Sequence, residues 1–181
     1  MTKQDLQNLK YPIGQFDYPN NISHKHIENW IKTLEQFPIR FEALVKHLSK
    51  NQLDTPYRPG GWTIRQVVHH VADSHHHSYT RFKWALTEDK PIIKAYDEKL
   101  WAELNDSKSD PIQMSIEHIK AIHYKLVNLL KSLSEKDLKK SFIHPETNTE
   151  VLLSYNIGNY AWHSNHHYAH IENIMKHKGW L

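Results

Sequence analysis

Four stretches of this chain repeat their apolar residues at the period of an α-helix, and that repetition restricts the fold more than any other property of the sequence. From Ser23, a residue type suited to an N-cap, the apolar positions Ile27, Trp30, Ile31, Leu34, Phe37, Phe41, Leu44, Val45 and Leu48 make a seam about six turns long. Pro38 falls inside it. A mid-helix proline removes a hydrogen bond and costs on the order of 3 kcal/mol. The seam keeps phase across it, which favours one kinked helix over two. The second helix opens on a capping box, Thr63 with Gln66, and is expected to reach Leu86. Its apolar face is Ile64, Val67, Val68, Val71, Phe82, Ala85 and Leu86, with Arg65, His69, His76 and Lys83 expected on the solvent side. Asp110 and Pro111 start the third, whose seam runs Ile112, Ile116, Ile119, Leu126, Leu130 and Leu133 with His123 on the same face. The fourth is expected from near Ser154 to Lys178, where Gly179 can end it.

The connections differ in kind. Residues 88–109 form a long crossover between helices 2 and 3, with at most a short helical turn around YDEKLWAEL, and a crossover of that length can join helices that are not antiparallel neighbours. SFIHPETNTEVLL reads as a small hairpin before helix 4. Residues 1–21, with YPIGQFDYPNN, read as an extended arm laid over the surface, and residues 22–181 as one all-α domain.

Composition narrows the function classes. A net charge of +3 with scattered Lys and Arg argues against nucleic acid as a partner. No apolar run approaches the roughly 20 residues of a membrane span, and the polar N-terminus lacks the apolar stretch of a signal peptide, so a cytoplasmic protein with no membrane partner is expected. There is no cysteine. Disulfides, thiolate metal sites and a protein thiol nucleophile are therefore excluded, and any thiol chemistry must use a thiol carried by a substrate.

The sixteen histidines are the chemical signal. In AWHSNHHYAH, His163 and His167 stand one helical turn apart, where Cβ atoms lie about 5–6 Å from each other and two imidazoles can close on one ion. His167 projects within the apolar sector and His163 at its edge, whereas His166 projects away and His170 sits on the polar side. On helix 2, HHVADSHHH offers His70 at the rim and His75 nearer the middle, and the pattern alone leaves these two open. The bland reading of any one of them is a hydrogen-bonded core histidine. His123 reads as a packed histidine behind the site, with general acid or base work as its catalytic alternative. Asp73 reads as a partner for a neighbouring side chain, and Arg65, Trp62 and Tyr96 as either capping and packing residues or pocket lining.

The runs YPIG, LDTPYRPGGWTIRQVVHHVADSH, YDEKLWAEL, FIHPET and YAWHSNHHYAHI, from about Tyr11 to Trp180, resemble the YfiT-type subgroup of the DinB-like superfamily. Its members are described as metal-dependent hydrolases or bacillithiol S-transferases. The resemblance implies a four-helix bundle with a long crossover between helices 2 and 3, one divalent metal ion per chain (zinc, with nickel or another divalent ion as substitutes) and a homodimer. It places the ligands at His70, His163 and His167, and so selects His70 over His75.

Three imidazoles leave coordination positions open, as catalytic sites do. The ion would hold a low-molecular-weight, bacillithiol-like thiol as thiolate for attack on an electrophilic small molecule, or activate water for hydrolysis. The sequence marks no carboxylate near the ligands as the base that hydrolysis usually employs, which favours the thiol S-transferase. A non-catalytic metal-binding module is the third expectation, since a shared bundle does not fix a shared reaction.

Overall fold

The computed structural model describes residues 2–181. Helix α1 (Lys3–Lys10) is followed by α2 (His24–Val45), a single turn α3 (Lys50–Leu53), and α4 (Ile64–Thr87). Two short helices, α5 (Glu98–Ala102) and α6 (Asn105–Ser109), interrupt the crossover before α7 (Ile112–Lys131). The short α8 (Glu135–Leu138) and a hairpin of β1 (Ser141–His144) and β2 (Thr149–Leu152) lead into α9 (Leu153–His177). The hairpin is antiparallel, pairing Ser141 with Leu152 and His144 with Thr149.

The chain is mostly helical, and α2, α4, α7 and α9 build the four-helix bundle. α2 packs on α7 and α9, and α4 on the same two, so α2 and α4 sit on a diagonal, joined by residues 46–63 with α3 among them. Cross-helix pairs give the directions. Along α4 and α7, His69 meets Ser115 and His76 meets His118, so the two run parallel. Parallel neighbours cannot be joined by a tight turn, which is why this connection is long. Between α4 and α9, Ser78 meets Asn156 while His75 meets His163, an antiparallel pair.

The apolar core is divided. One cluster gathers Leu34, Phe82, Leu126 and Ile157, the other Phe37, Phe41, Val68, Ile119 and Ile171. Each fully buried side chain of this kind contributes roughly 1.5–3 kcal/mol relative to exposure. Between the clusters, at the waist of the bundle, lies a polar layer of buried His75, Ser78, His123, Asn156, Ser164 and His167.

Two expectations are corrected. The N-terminal arm is not extended throughout. Thr2 and Asp5 form a capping box that starts α1, with Thr2 Oγ1 accepting from the Asp5 backbone N–H at 3.1 Å. Beyond it, residues 11–22 run without regular structure over α9 and α2, where the Phe16 ring meets Trp30, Tyr155 and Trp162. Gly158 makes this docking possible, because its missing Cβ leaves room for the Phe16 and Trp30 rings. Second, Arg65 and His69 do not face solvent. The crossover covers that side of α4, and Arg65 donates to Asp54 Oδ1 at 2.8 Å and to the Asp110 carbonyl at 2.9 Å. Gln66 of the capping box donates to the Ala102 carbonyl at 2.7 Å, fastening α5 to α4.

Candidate metal centre

The α-helical period places His163 and His167 side by side on α9, and α4 runs antiparallel to it with His70 opposite. One nitrogen from each of the three rings lies within 4.8 Å of the others. The ring centroids stand 4.4 Å apart for His163 and His167, 4.9 Å for His70 and His167, and 5.4 Å for His70 and His163. The Trp62 ring backs His70 at 4.7 Å. Burial disfavours the imidazolium of all three, taking His70 down to about 4 and His163 and His167 well below the ordinary histidine value. All three are neutral at pH 7, the form in which imidazole binds a metal. His167 carries a buried Nδ1 with no hydrogen-bond partner, as His166 and His170 do, and of these it is the one within the three-ring cluster.

Behind the centre the structure places His75 and His123 in a line. The His123 Nδ1 lies 2.7 Å from the Leu34 carbonyl oxygen, His123 Nε2 is 2.9 Å from His75 Nδ1, and His75 Nε2 is 3.1 Å from His163 Nδ1. The proton positions follow from the network. A carbonyl only accepts, so His123 donates from Nδ1. Burial holds the His123 ring at about 4, hence neutral, and its Nε2 is then an acceptor. His75 must donate from Nδ1 to it, and by the same logic His163 donates from Nδ1 to His75. What remains on His163 is an Nε2 lone pair, the atom free to bind a metal ion.

The anchor of this line is Pro38. In a regular helix the Leu34 carbonyl accepts from the N–H of residue 38, which proline lacks. The carbonyl freed by the proline takes the His123 proton instead. Thus the residue that breaks the hydrogen-bond pattern of α2 also orients a ring two histidines away.

His69, His76, His166 and His170 are engaged away from the three. His69 bonds Ser115, with Nδ1 to Oγ at 2.7 Å, and His76 bonds His118 at 3.0 Å. The His166 ring stacks on Trp162 at 4.5 Å, and His170 bonds the Lys10 carbonyl through Nε2 at 3.0 Å. His75, the rival of His70 in the sequence, is fully buried behind His163 and is not one of the three. His123 is separated from the open side of the centre by His75.

His70 and His163 form the floor of a cleft of about 270 Å³, walled by Ser74, Arg81 and Tyr160 and, from the crossover and hairpin, by Tyr96, Glu98, His144 and Glu146. Tyr96 is where the sequence offered it as pocket lining, its phenol held neutral by burial. Arg81, Tyr160, Glu98, His144 and Glu146 were not singled out by the sequence. For Arg81 a signal existed, since it lies on the same face of α4 as His70 and Ser74. For the hairpin residues none did, because nothing in the sequence places β1 against α4.

A family model described as the DinB superfamily matches residues 33–171. Proteins from Bacillus cereus and Bacillus anthracis, each named "Putative metal-dependent hydrolase", are 51% identical over 175 residues, covering 97% of this chain and 100% of their own. A solved structure of YfiT from Bacillus subtilis, described as a probable metal-dependent hydrolase with an unusual four-helix bundle topology, is 45% identical. It superposes with a TM-score of 0.94 over 96% of this chain and 99% of its own. No helix among the described residues is long and apolar enough to cross a membrane.

Proposed function

This chain belongs to the DinB superfamily, and from that premise we propose that it is a metal-dependent thiol S-transferase whose ion is held by His70, His163 and His167. The observation that carries this reading is the donor set: three neutral imidazoles converge, two of them on the floor of a cleft, with no carboxylate hydrogen-bonded to any of them among the described residues. An all-nitrogen set of this kind suits zinc. Bound there, the ion supplies the Lewis-acid charge that lets a thiol or a water lose its proton near neutral pH.

The chain's own residues do the rest. His75 keeps the His163 Nε2 lone pair turned toward the centre, and Trp62 packs against the His70 ring. Tyr96, stacked on His77 at 4.3 Å, walls the cleft from the crossover side. Because the chain has no cysteine, no internal thiol competes with that of a substrate. In the transfer, a sulfur–carbon bond forms as the bond from that carbon to its leaving group breaks. The leaving group departs with the electron pair, and the thiol proton passes to solvent.

Hydrolysis is the second reading, and one observation favours it beyond the relatives' names: Glu98 and Glu146 line the cleft, so a carboxylate is within the site's walls to act as general base. Both are exposed at its mouth. The deciding experiment is metal analysis of untagged protein, followed by titration of a cobalt-substituted sample with bacillithiol, other small thiols and simple esters. About one ion per chain with a thiolate absorbance band supports the transferase. Ester turnover without a thiol response selects the hydrolase, and absence of any ion refutes both.

A further inference from the structure

The geometry points to a carboxylate-binding subsite at Arg81, in the wall of the cleft floored by His70 and His163, that holds an anionic group of the substrate while its reacting atom is at the centre. This rests on the reading of the cleft as the reaction site. Arg81 follows His70 by eleven residues on α4, three helical turns, so the two share a face, with Ser74 between them. Helical side chains lean toward the N-terminus, which brings the guanidinium back toward the histidines. The Tyr160 hydroxyl marks how far: it lies 3.4 Å from Ser74 Oγ and 3.4 Å from Arg81 Nη1.

Arg81 is partly buried, always charged and in want of a partner. It joins no ion pair among the described residues. Its Nε is buried without a hydrogen-bond acceptor, and the long contact to Tyr160 is its one hydrogen bond. A guanidinium withdrawn from water is normally compensated by an anion, and its planar fork matches a carboxylate with two parallel bonds. A second unpaired buried nitrogen, His144 Nδ1, belongs to another residue of the same cleft. Glu98 and Glu146 do not pair with Arg81, and their exposed carboxylates at the mouth disfavour a second anion there. The fit is therefore to one inward carboxylate. A short flexible chain between the reacting atom and the carboxylate lets one substrate reach both the floor of the cleft and Arg81.

Two thiols test this on cobalt-loaded protein: 4-mercaptobutyrate and 4-mercaptobutanol, followed by thiolate-to-cobalt absorbance at low salt. The acid is expected to bind roughly tenfold to hundredfold more tightly than the alcohol. Arg81→Gln should abolish that preference by weakening the acid far more than the alcohol, and Arg81→Lys should retain part of it. Independently of any thiol, butyrate added to zinc-loaded protein should shift the Arg81 Nε–H resonance and slow its exchange. If neither thiol gives an absorbance band, the transferase reading falls, and the butyrate response alone decides the subsite. Equal binding of acid and alcohol, equal weakening of both by Arg81→Gln, or an Nε–H resonance indifferent to butyrate would each overturn the proposal.

Discussion

Replacing His75 tests whether the buried histidine line controls the metal centre. His75→Phe keeps the ring size and its contact with Phe37, 5.8 Å away, but removes two hydrogen bonds, the 2.9 Å bond to His123 and the 3.1 Å bond to His163. It leaves His123 Nε2 and His163 Nδ1 buried and unpaired. Unpaired buried polar groups cost about 1–3 kcal/mol each, so after the gain from the apolar ring the folded state should lose about 2–4 kcal/mol. The effect on metal is separate. Without an acceptor at Nδ1, His163 is free to take the other tautomer and place a proton where the ion belongs. Losing such a partner typically weakens metal binding 10- to 100-fold, or about 1.4–2.7 kcal/mol. His75→Gln supplies a carbonyl to accept from His163 and an amide N–H to donate to His123, and should recover most of the affinity. Competition for zinc against a chelating indicator at pH 7 measures it, and ring nitrogen shifts of metal-free protein read the tautomers directly. Wild-type zinc affinity in folded His75→Phe, or a proton found on His163 Nε2, would refute the reasoning.

The remaining expectations concern the ligands, acid stability and the arm. His167→Ala should abolish zinc binding and turnover while the protein stays folded, as ion content and circular dichroism would report; loss of the fold instead would make the centre structural. Metal-free protein should weaken as pH falls. The His123 ring is held at about 4 against 6.5 when unfolded, so between those values the unfolded chain takes up a proton that the folded chain refuses, and stability present above pH 6.5 is progressively lost down to pH 4. His123 alone accounts for about 2 kcal/mol at pH 5, with the other buried histidines adding in the same sense. Asp73, raised to about 6 by burial, opposes them, since its contribution is present at low pH and lost as pH rises through 6. Urea melts at pH 7 and pH 5 decide, and equal stabilities would contradict the assignment. A Cβ at Gly158 would stand 2.7 Å from Phe16 Cζ and 2.9 Å from the Trp30 ring, so Gly158→Ala should cost about 1–3 kcal/mol and expose the arm to proteolysis. A melt and digestion pattern like those of the wild type would show that the arm is not docked there.

Much of this protein was legible before any coordinates, because the signals are local. The four long helices, the Thr63–Gln66 capping box, the hairpin and the Gly179 stop are set by residues within a turn of one another, and they appear close to where the sequence placed them, although α2 ends at Val45, short of Leu48, the last residue of its seam. The pairing of His163 with His167 is local too. The choice of His70 over His75 needed the family resemblance, since one sits at the edge of the apolar face and the other nearer its middle, and the helical pattern does not decide between them.

What tertiary structure alone decided is how distant surfaces meet. The sequence put Arg65 and His69 in water because their helix face is polar; the crossover covers that face, and Asp54 after α3, Asp110 before α7 and Ser115 within α7 give the two side chains polar partners. It offered Pro38 as a defect in α2, whereas the fold brings His123 to the carbonyl the proline leaves free. Glu98 and His144 reach the cleft only because the crossover and hairpin fold over α4. Helical period and capping act between neighbours in the chain and are written in its order. Burial, hydrogen bonding across the waist and the shape of a cleft depend on residues far apart in that order, and they exist only once the helices have packed.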